Sequence, residues 1–419
     1  MTTYGITFPN KLRGTIALPA SKSISARALI IGALAGNITA KGLSDCDDTR
    51  VLHKALTQPA GEIDIMAAGT AMRFSTAYFA ATSSPARIIT GTARMRQRPI
   101  SLLVEALRSL GADIAYMETE GFPPLRVRGR QLEGGTLSLP ATVSSQYISA
   151  LLMVAPLMHR GLRLHLEGEI ASRPYIDMTL KLMRHFGAQA DWTAETTLEV
   201  KPGTYRHDVA FAVEPDWSAA SYWYEMMALT ADPEAEILLP GLRSDSVQGD
   251  SMVWQLFEPL GVGTRFTDQG AHLYKTPPTA VAETTETDFT AFPDLAQTLV
   301  VTHALLGRPF RFTGLHSLKI KETDRIAALQ TELCKLGYDI EANGQSMWMA
   351  AANSPAADNG AQRIVFNTYE DHRMAMSLAP CALRHKGISI ADPGVVSKSY
   401  PAFWEDLRKT GACIERLEE

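Results

Sequence analysis

Leu182-Met183-Arg184-His185-Phe186-Gly187-Ala188 reads as the last turn of an amphipathic helix, a glycine that stops it, and the start of the next segment. Apolar residues at 182, 183 and 186 share a helical face, and glycine readily takes the left-handed conformation that ends a helix. The phrase recurs as Leu107-Arg108-Ser109-Leu110-Gly111-Ala112, Leu256-Phe257-Glu258-Pro259-Leu260-Gly261-Val262, Leu333-Cys334-Lys335-Leu336-Gly337-Tyr338 and Leu407-Arg408-Lys409-Thr410-Gly411-Ala412. The glycines at 111, 187, 261, 337 and 411 stand 76, 74, 76 and 74 residues apart, which signals internal repetition. A sixth, degraded copy is expected at 49–55, where no glycine follows in the usual place.

A second helix series, rich in small residues, starts each time on polar groups: Ser23-Ile24-Ser25, Gly69-Thr70-Ala71, Ser144-Ser145-Gln146, Asp216-Trp217-Ser218, Asp294-Leu295-Ala296 and Asp371-His372-Arg373. Gly69 to Ser145 is 76 residues, Asp216 to Asp294 is 78 and Asp294 to Asp371 is 77, so the two series share a period. Helices apolar on all sides are expected inside and the glycine-stopped ones outside. Short β-like runs at 86–90, 162–166, 198–200 and 388–390 lie between them. The expected fold is α/β, one mixed unit of about 75 residues repeated six times as two sets of three. Ser23 to Gly69 spans only 46 residues, so the first copy has lost material.

The 419 residues are 46% hydrophobic, enough for two domains with sizeable cores. Net charge is −5 and the isoelectric point near 6.1, so no global basic field argues for nucleic acid, and any anion site is a local cluster. Cys46, Cys334, Cys381 and Cys413 lie far apart, which suits free thiols and predicts no disulfide frame and no metal site. The start at Met1-Thr2-Thr3 lacks a basic and then apolar leader, and the longest apolar run, around 148–158, is too short for a bilayer. A cytoplasmic protein with no membrane partner is expected. No Walker A or GxGxxG run is present, so no nucleotide cofactor is expected.

Cations gather where helices begin. After Pro19, which discourages helix before it, Ser21 and Ser23 offer caps, a helix is expected to begin near Ser23, and Lys22 and Arg27 add two charges on one side. An ordinary capped helix would carry the same residues, so the stretch gains meaning only from its companions. Those are Arg94-Met95-Arg96-Gln97-Arg98-Pro99, Lys321-Glu322-Thr323-Asp324-Arg325 and Asp371-His372-Arg373. Lys321 and Arg325, four apart, should share a helix face with Glu322 turned aside. Asp294 is by default an N-cap, and a general base only with an acidic proton over it. If the repeats are related by rotation, equivalent helix starts converge, and two three-fold domains facing each other would enclose a cleft lined by Lys, Arg and helix N-termini.

Eight co-linear segments, from Ser21-Lys22-Ser23 through Ala68-Gly69-Thr70-Ala71-Met72-Arg73, Arg94-Met95-Arg96-Gln97-Arg98-Pro99, Ser144-Ser145-Gln146, Ser172-Arg173-Pro174-Tyr175-Ile176, Lys321-Glu322-Thr323-Asp324-Arg325 and Asp371-His372-Arg373-Met374-Ala375-Met376 to Lys398-Ser399-Tyr400-Pro401, resemble the enolpyruvyl transferases, and most closely the branch acting on shikimate 3-phosphate. The resemblance implies a two-domain inside-out α/β barrel of six βαβαββ-like repeats, three per domain. Residues 1–20 and 215–419 would form one domain, 21–214 the other, with the active site in the cleft between them. It further implies transfer of the carboxyvinyl group of phosphoenolpyruvate to the 5-hydroxyl of shikimate 3-phosphate, releasing phosphate, on the way to chorismate and the aromatic amino acids. The enzyme would work without cofactor or metal, as a monomer.

By position in the family, Lys22, Gly69, Arg98, Gln146, Arg325, Arg373 and Lys398 would hold phosphoenolpyruvate. Lys22, Ser23, Arg27, Ser144, Ser145, Gln146, Ser172, Tyr175, Asp294, Ser317 and Lys321 would hold shikimate 3-phosphate. Asp294 would be the base for the 5-hydroxyl, with Glu322 or Lys22 handling the proton at the methylene. Ala26, Ala67 and Ser317 stand where the family usually has asparagine, which leaves local hydrogen bonding near Gly69 open. The related UDP-N-acetylglucosamine branch places a cysteine where Ala93 stands here. A non-catalytic binder of phosphorylated metabolites would not need Asp294 and Glu322 beside the cations.

Overall fold

The computed structural model describes residues 2–38, 40–59, 61–142, 144–279, 284–350 and 363–418. The chain divides into two compact units, Met1–Pro19 with Pro215–Glu419, and Ala20–Glu214. Backbone bonds secure each end of the passage between them: Asp216 N–H donates to Pro19 C=O at 2.9 Å in the first unit, and Ser21 N–H to Glu214 C=O at 2.8 Å in the second.

Among the described residues, five four-stranded sheets share one wiring. In the unit 20–214, Gly135–Pro140 runs parallel to Leu162–Glu167, which pairs antiparallel with Thr197–Val200, itself antiparallel to Ala190–Ala194. Glu62–Asp64, Arg87–Thr90, Leu125–Arg128 and Asp113–Tyr116 repeat the pattern. A parallel pair needs a crossover, and here the buried helix supplies it, which makes each unit βαβαββ. In place of a full sheet, the degraded first copy carries an isolated parallel bridge, Lys41 to Ala212. In the other unit the chain's own N-terminus fills two positions. Arg13–Thr15 takes the outer parallel place beside Glu236–Pro240, and Thr2–Thr7 is inserted between Ile388–Ala391 and Cys413–Glu418.

The buried helices are Lys22–Leu34, Gly69–Ala81 and Ser145–Val154 in one unit, and Trp217–Leu229, Ala296–Leu305 and His372–Leu378 in the other. Within each unit the three pack pairwise against one another, and the sheets cover them. Trp217, Tyr222, Trp223 and Tyr224 are sealed in the second set. All five glycines of the repeat, at 111, 187, 261, 337 and 411, have φ between 84° and 106°, the left-handed stop that their spacing predicts. The degraded helix Asp47–Thr57 ends instead in an extended Gln58.

The first buried helix begins at Lys22, capped by Ser21, as expected near Ser23. Two local expectations change. Asp294 is not the N-cap residue: it lies inside a 3-10 turn, Pro293–Leu295, and its carboxylate faces cations. The helix after Lys321 starts only at Arg325 with Asp324 as cap, so Lys321 is not on its face.

Candidate active site

In the unit 215–419, three of the polar helix starts meet. Arg325, 1% exposed, donates from Nε and Nη2 to both oxygens of Asp371 at 2.7 and 3.2 Å, from Nη1 to Asp294 at 3.2 Å, and from Nη2 to Glu322 at 3.0 Å. Burial alone would lower its proton affinity, but Asp371, Glu322 and Asp294 outweigh it and hold the guanidinium above its ordinary pKa. Asp294 also receives Arg373 Nη2 at 2.9 Å and lies 3.5 Å from Lys321 Nζ. Glu322, expected to turn aside, bridges Arg325 and Lys398, whose Nζ is 2.9 Å away. A single face of one helix could not have brought those two cations to it. Lys321, Arg325, Arg373 and Lys398 are thus interleaved with Asp294, Glu322 and Asp371, a fixed array of charge-assisted bonds.

Each member is placed by a local feature. Asp371 caps the helix His372–Leu378 through the Arg373 N–H at 2.9 Å, so one carboxylate orients both that helix and Arg325. Ahead of it, Tyr369 and Glu370 both have positive φ, and the Tyr369 hydroxyl donates to Glu332 at 2.6 Å. Lys398 ends the 3-10 turn Pro393–Lys398. The hydroxyl of Ser317, in the turn His316–Ile320, is buried with no hydrogen-bond partner among the described residues.

In the unit 20–214, Lys22 Nζ pairs with Asp48 at 3.2 Å. Arg27 is 2% exposed and clamps three helices. It donates to Thr179 at 2.7 Å, to the Ser23 carbonyl at 2.9 Å, to Ser149 at 3.0 Å and to the Tyr175 carbonyl at 3.3 Å. Burial pulls its pKa down to about 10, with Tyr175 acting the other way. Arg98 lies against the start of the helix Gly69–Ala81, so close that a Cβ on Gly69 would stand 2.7 Å from its Nη1. The Gln146 amide donates to Thr70 at 3.2 Å, which puts Gly69, Thr70, Arg98 and Gln146 side by side. Ser144 caps Ser145–Val154, and Ser172, at φ 55°, precedes Arg173–His185.

The sequence places Asp48 and Asp250 among the polar helix starts without giving either a role in this chemistry. Asp48 sits in a run of ordinary helix-start acids, and Asp250 lies in a short turn whose only signal is its place at the matching point of the fourth repeat. Among the described residues, no group of three or more His, Cys, Asp or Glu side chains could hold a metal ion, and no helix is long and apolar enough to cross a membrane.

A family model described as EPSP synthase (3-phosphoshikimate 1-carboxyvinyltransferase) matches residues 6–407. The chain belongs to the EPSP synthase family. Similar EPSP synthases include a 3-phosphoshikimate 1-carboxyvinyltransferase of Bacteroides fragilis, 54% identical over 419 residues, covering 99% of this chain and 100% of the relative. Another, from Bordetella petrii, is 36% identical over 94% of this chain and 93% of its own. A solved EPSP synthase from Acinetobacter baumannii matches with TM-score 0.78 over 100% of both chains at 21% identity, which bears on the fold alone. The α/β fold and the shikimate-pathway transferase reading stand, and the nucleotide-sugar and non-catalytic alternatives fall away.

Proposed function

We propose that the two side-chain sets serve one reaction, in which the carboxyvinyl group of phosphoenolpyruvate passes to the 5-hydroxyl of shikimate 3-phosphate. Both substrates are phosphorylated carboxylates, so each needs cations fixed in advance. The observation that carries the assignment is Asp294, one carboxylate held among Lys321, Arg325 and Arg373. Gly69, Arg98 and Gln146, with Lys22, would take phosphoenolpyruvate together with Arg325, Arg373 and Lys398. Ser23, Arg27, Ser144, Ser145, Ser172, Tyr175, Ser317 and Lys321 would take shikimate 3-phosphate. Arg27 spends four of its five N–H groups on the protein, so its share in substrate binding rests on the fifth and on the helices it clamps.

The chemistry needs a proton delivered to the vinyl methylene, attack of the 5-oxygen on the cationic carbon so formed, then loss of a methyl proton and of phosphate. Asp294 takes the hydroxyl proton. Lys22, paired with Asp48, is placed to give the proton, and Glu322, between Arg325 and Lys398, to receive one. The proposed setting is a cytoplasmic monomer, in keeping with the free, exposed thiols of Cys334 and Cys413. Phosphate release from phosphoenolpyruvate tests the reading: it should require shikimate 3-phosphate and should not occur with UDP-N-acetylglucosamine or with neither acceptor.

A further inference from the structure

As a base, Asp294 has an electrostatic handicap. Lys321, Arg325 and Arg373 approach it at 3.5, 3.2 and 2.9 Å, and each favours the carboxylate, weakening its pull on a proton. Asp371 and Glu322 offset part of this through Arg325, and Asp250 adds a further buried negative charge on the Arg373 side. Asp250, 2% exposed in the turn Gly249–Met252, accepts a hydrogen bond from the Ser218 hydroxyl. That hydroxyl has one proton, so with it committed to Asp250 its lone pairs face Arg373, whose Nη2 donates to Ser218 at 3.3 Å and to Asp294 at 2.9 Å. Arg373 Nη1 reaches the Tyr222 hydroxyl at 3.5 Å.

We infer that Asp250 is a positioning residue for the transfer: through Ser218 it fixes Arg373 against Asp294, and its charge keeps Asp294 able to take a proton. The inference rests on Asp294 being the base. The charged groups facing Asp250 include Asp216 at the start of Trp217–Leu229, Asp294 in the turn Pro293–Leu295 and Arg373 in His372–Leu378. Burial and then the Asp294 charge push the Asp250 carboxyl up to about 6, Arg373 and Ser218 oppose them, and Asp216 adds to the rise. The Asp250–Asp294 repulsion acts on both carboxylates.

Asp250→Asn in the full chain keeps an acceptor for Ser218 and deletes the charge. With phosphate release followed from about pH 5 to about pH 9, the acid limb of kcat should move down by about 0.5–1 in pH and the plateau should fall about 3–10-fold. Ser218→Ala keeps the charge but cuts the link, so KM for phosphoenolpyruvate should rise about fivefold with the limb in place. An unmoved limb in Asp250→Asn, or equal limb movement in both variants, overturns the inference. Should Asp250→Asn not fold, an unchanged KM in Ser218→Ala overturns it. Asp294→Ala measured alongside separates the two readings. Retained turnover there removes the base and this inference with it, whereas a large loss there with an unmoved limb in Asp250→Asn removes only the role of Asp250.

Discussion

Asp371 holds Arg325 by two parallel hydrogen bonds, 2.7 and 3.2 Å long, while the Arg373 backbone N–H donates the capping bond to the same carboxylate. One residue thus joins the helix start of the sixth repeat to that of the fifth and sets the direction of two arginines. Removing it leaves a guanidinium that is 1% exposed without its main counter-charge. Asp371→Ala should lower unfolding free energy by about 3–5 kcal/mol, the usual result of breaking a buried pair. Urea denaturation checks this, and a loss under about 1 kcal/mol would contradict it.

Gly69 and Arg98 make a second tight relation. The missing Cβ would fall 2.7 and 3.0 Å from the two terminal guanidinium nitrogens, so Gly69→Ala displaces the end of a flexible side chain and leaves the fold intact. KM for phosphoenolpyruvate should rise about tenfold, the equivalent of one hydrogen bond to a charged group, with an unchanged melting temperature. A variant with native KM would free Arg98 from that role.

The repeats were legible because their signals are local. A glycine that ends a helix, and a polar group that begins one, announce themselves within a few residues, and the common period turned them into an architecture. Long-range facts were not legible in the same way. Nothing within residues 2–15 says that they complete two sheets whose other strands lie at 236–275 and 364–418. Local spacing turned Glu322 aside from the cations because its partner Lys398 arrives from the next repeat. Asp294 looked like a cap because Pro293 precedes it, yet the proline starts a 3-10 turn and leaves the carboxylate to the arginines. Asp250 needed the packing of three elements to acquire a meaning.

Glu225 is fully buried in the helix Trp217–Leu229, and neither carboxyl oxygen has a hydrogen-bond partner among the described residues. Burial pushes its pKa well above the ordinary value, so the folded state binds that proton more tightly than the unfolded chain does. Its contribution to stability is then complete below about pH 4.3 and is lost as pH rises toward the folded pKa. Glu225→Met should raise stability at neutral pH by on the order of 1–3 kcal/mol and flatten the decline with pH. Thermal unfolding at several pH values checks it; equal pH dependence in both proteins would contradict it.

Glu370 sits at φ 56°, beside Tyr369 at 54°, on the approach to Asp371. A left-handed glutamate is strained, and asparagine tolerates that region better, so Glu370→Asn should stabilise the protein by up to about 1 kcal/mol. Its side chain is exposed, so the exchange leaves the charge array in place. A lowered melting temperature would count against the strain.

The central claim is that Asp294, held among Lys321, Arg325 and Arg373, takes the proton from the acceptor hydroxyl. Phosphate release by Asp294→Ala, with both substrates varied, tests it most directly. The expected result is a kcat about 10²–10⁴-fold lower with both KM values near native, as for a lost general base. Near-native kcat in that variant would contradict the account.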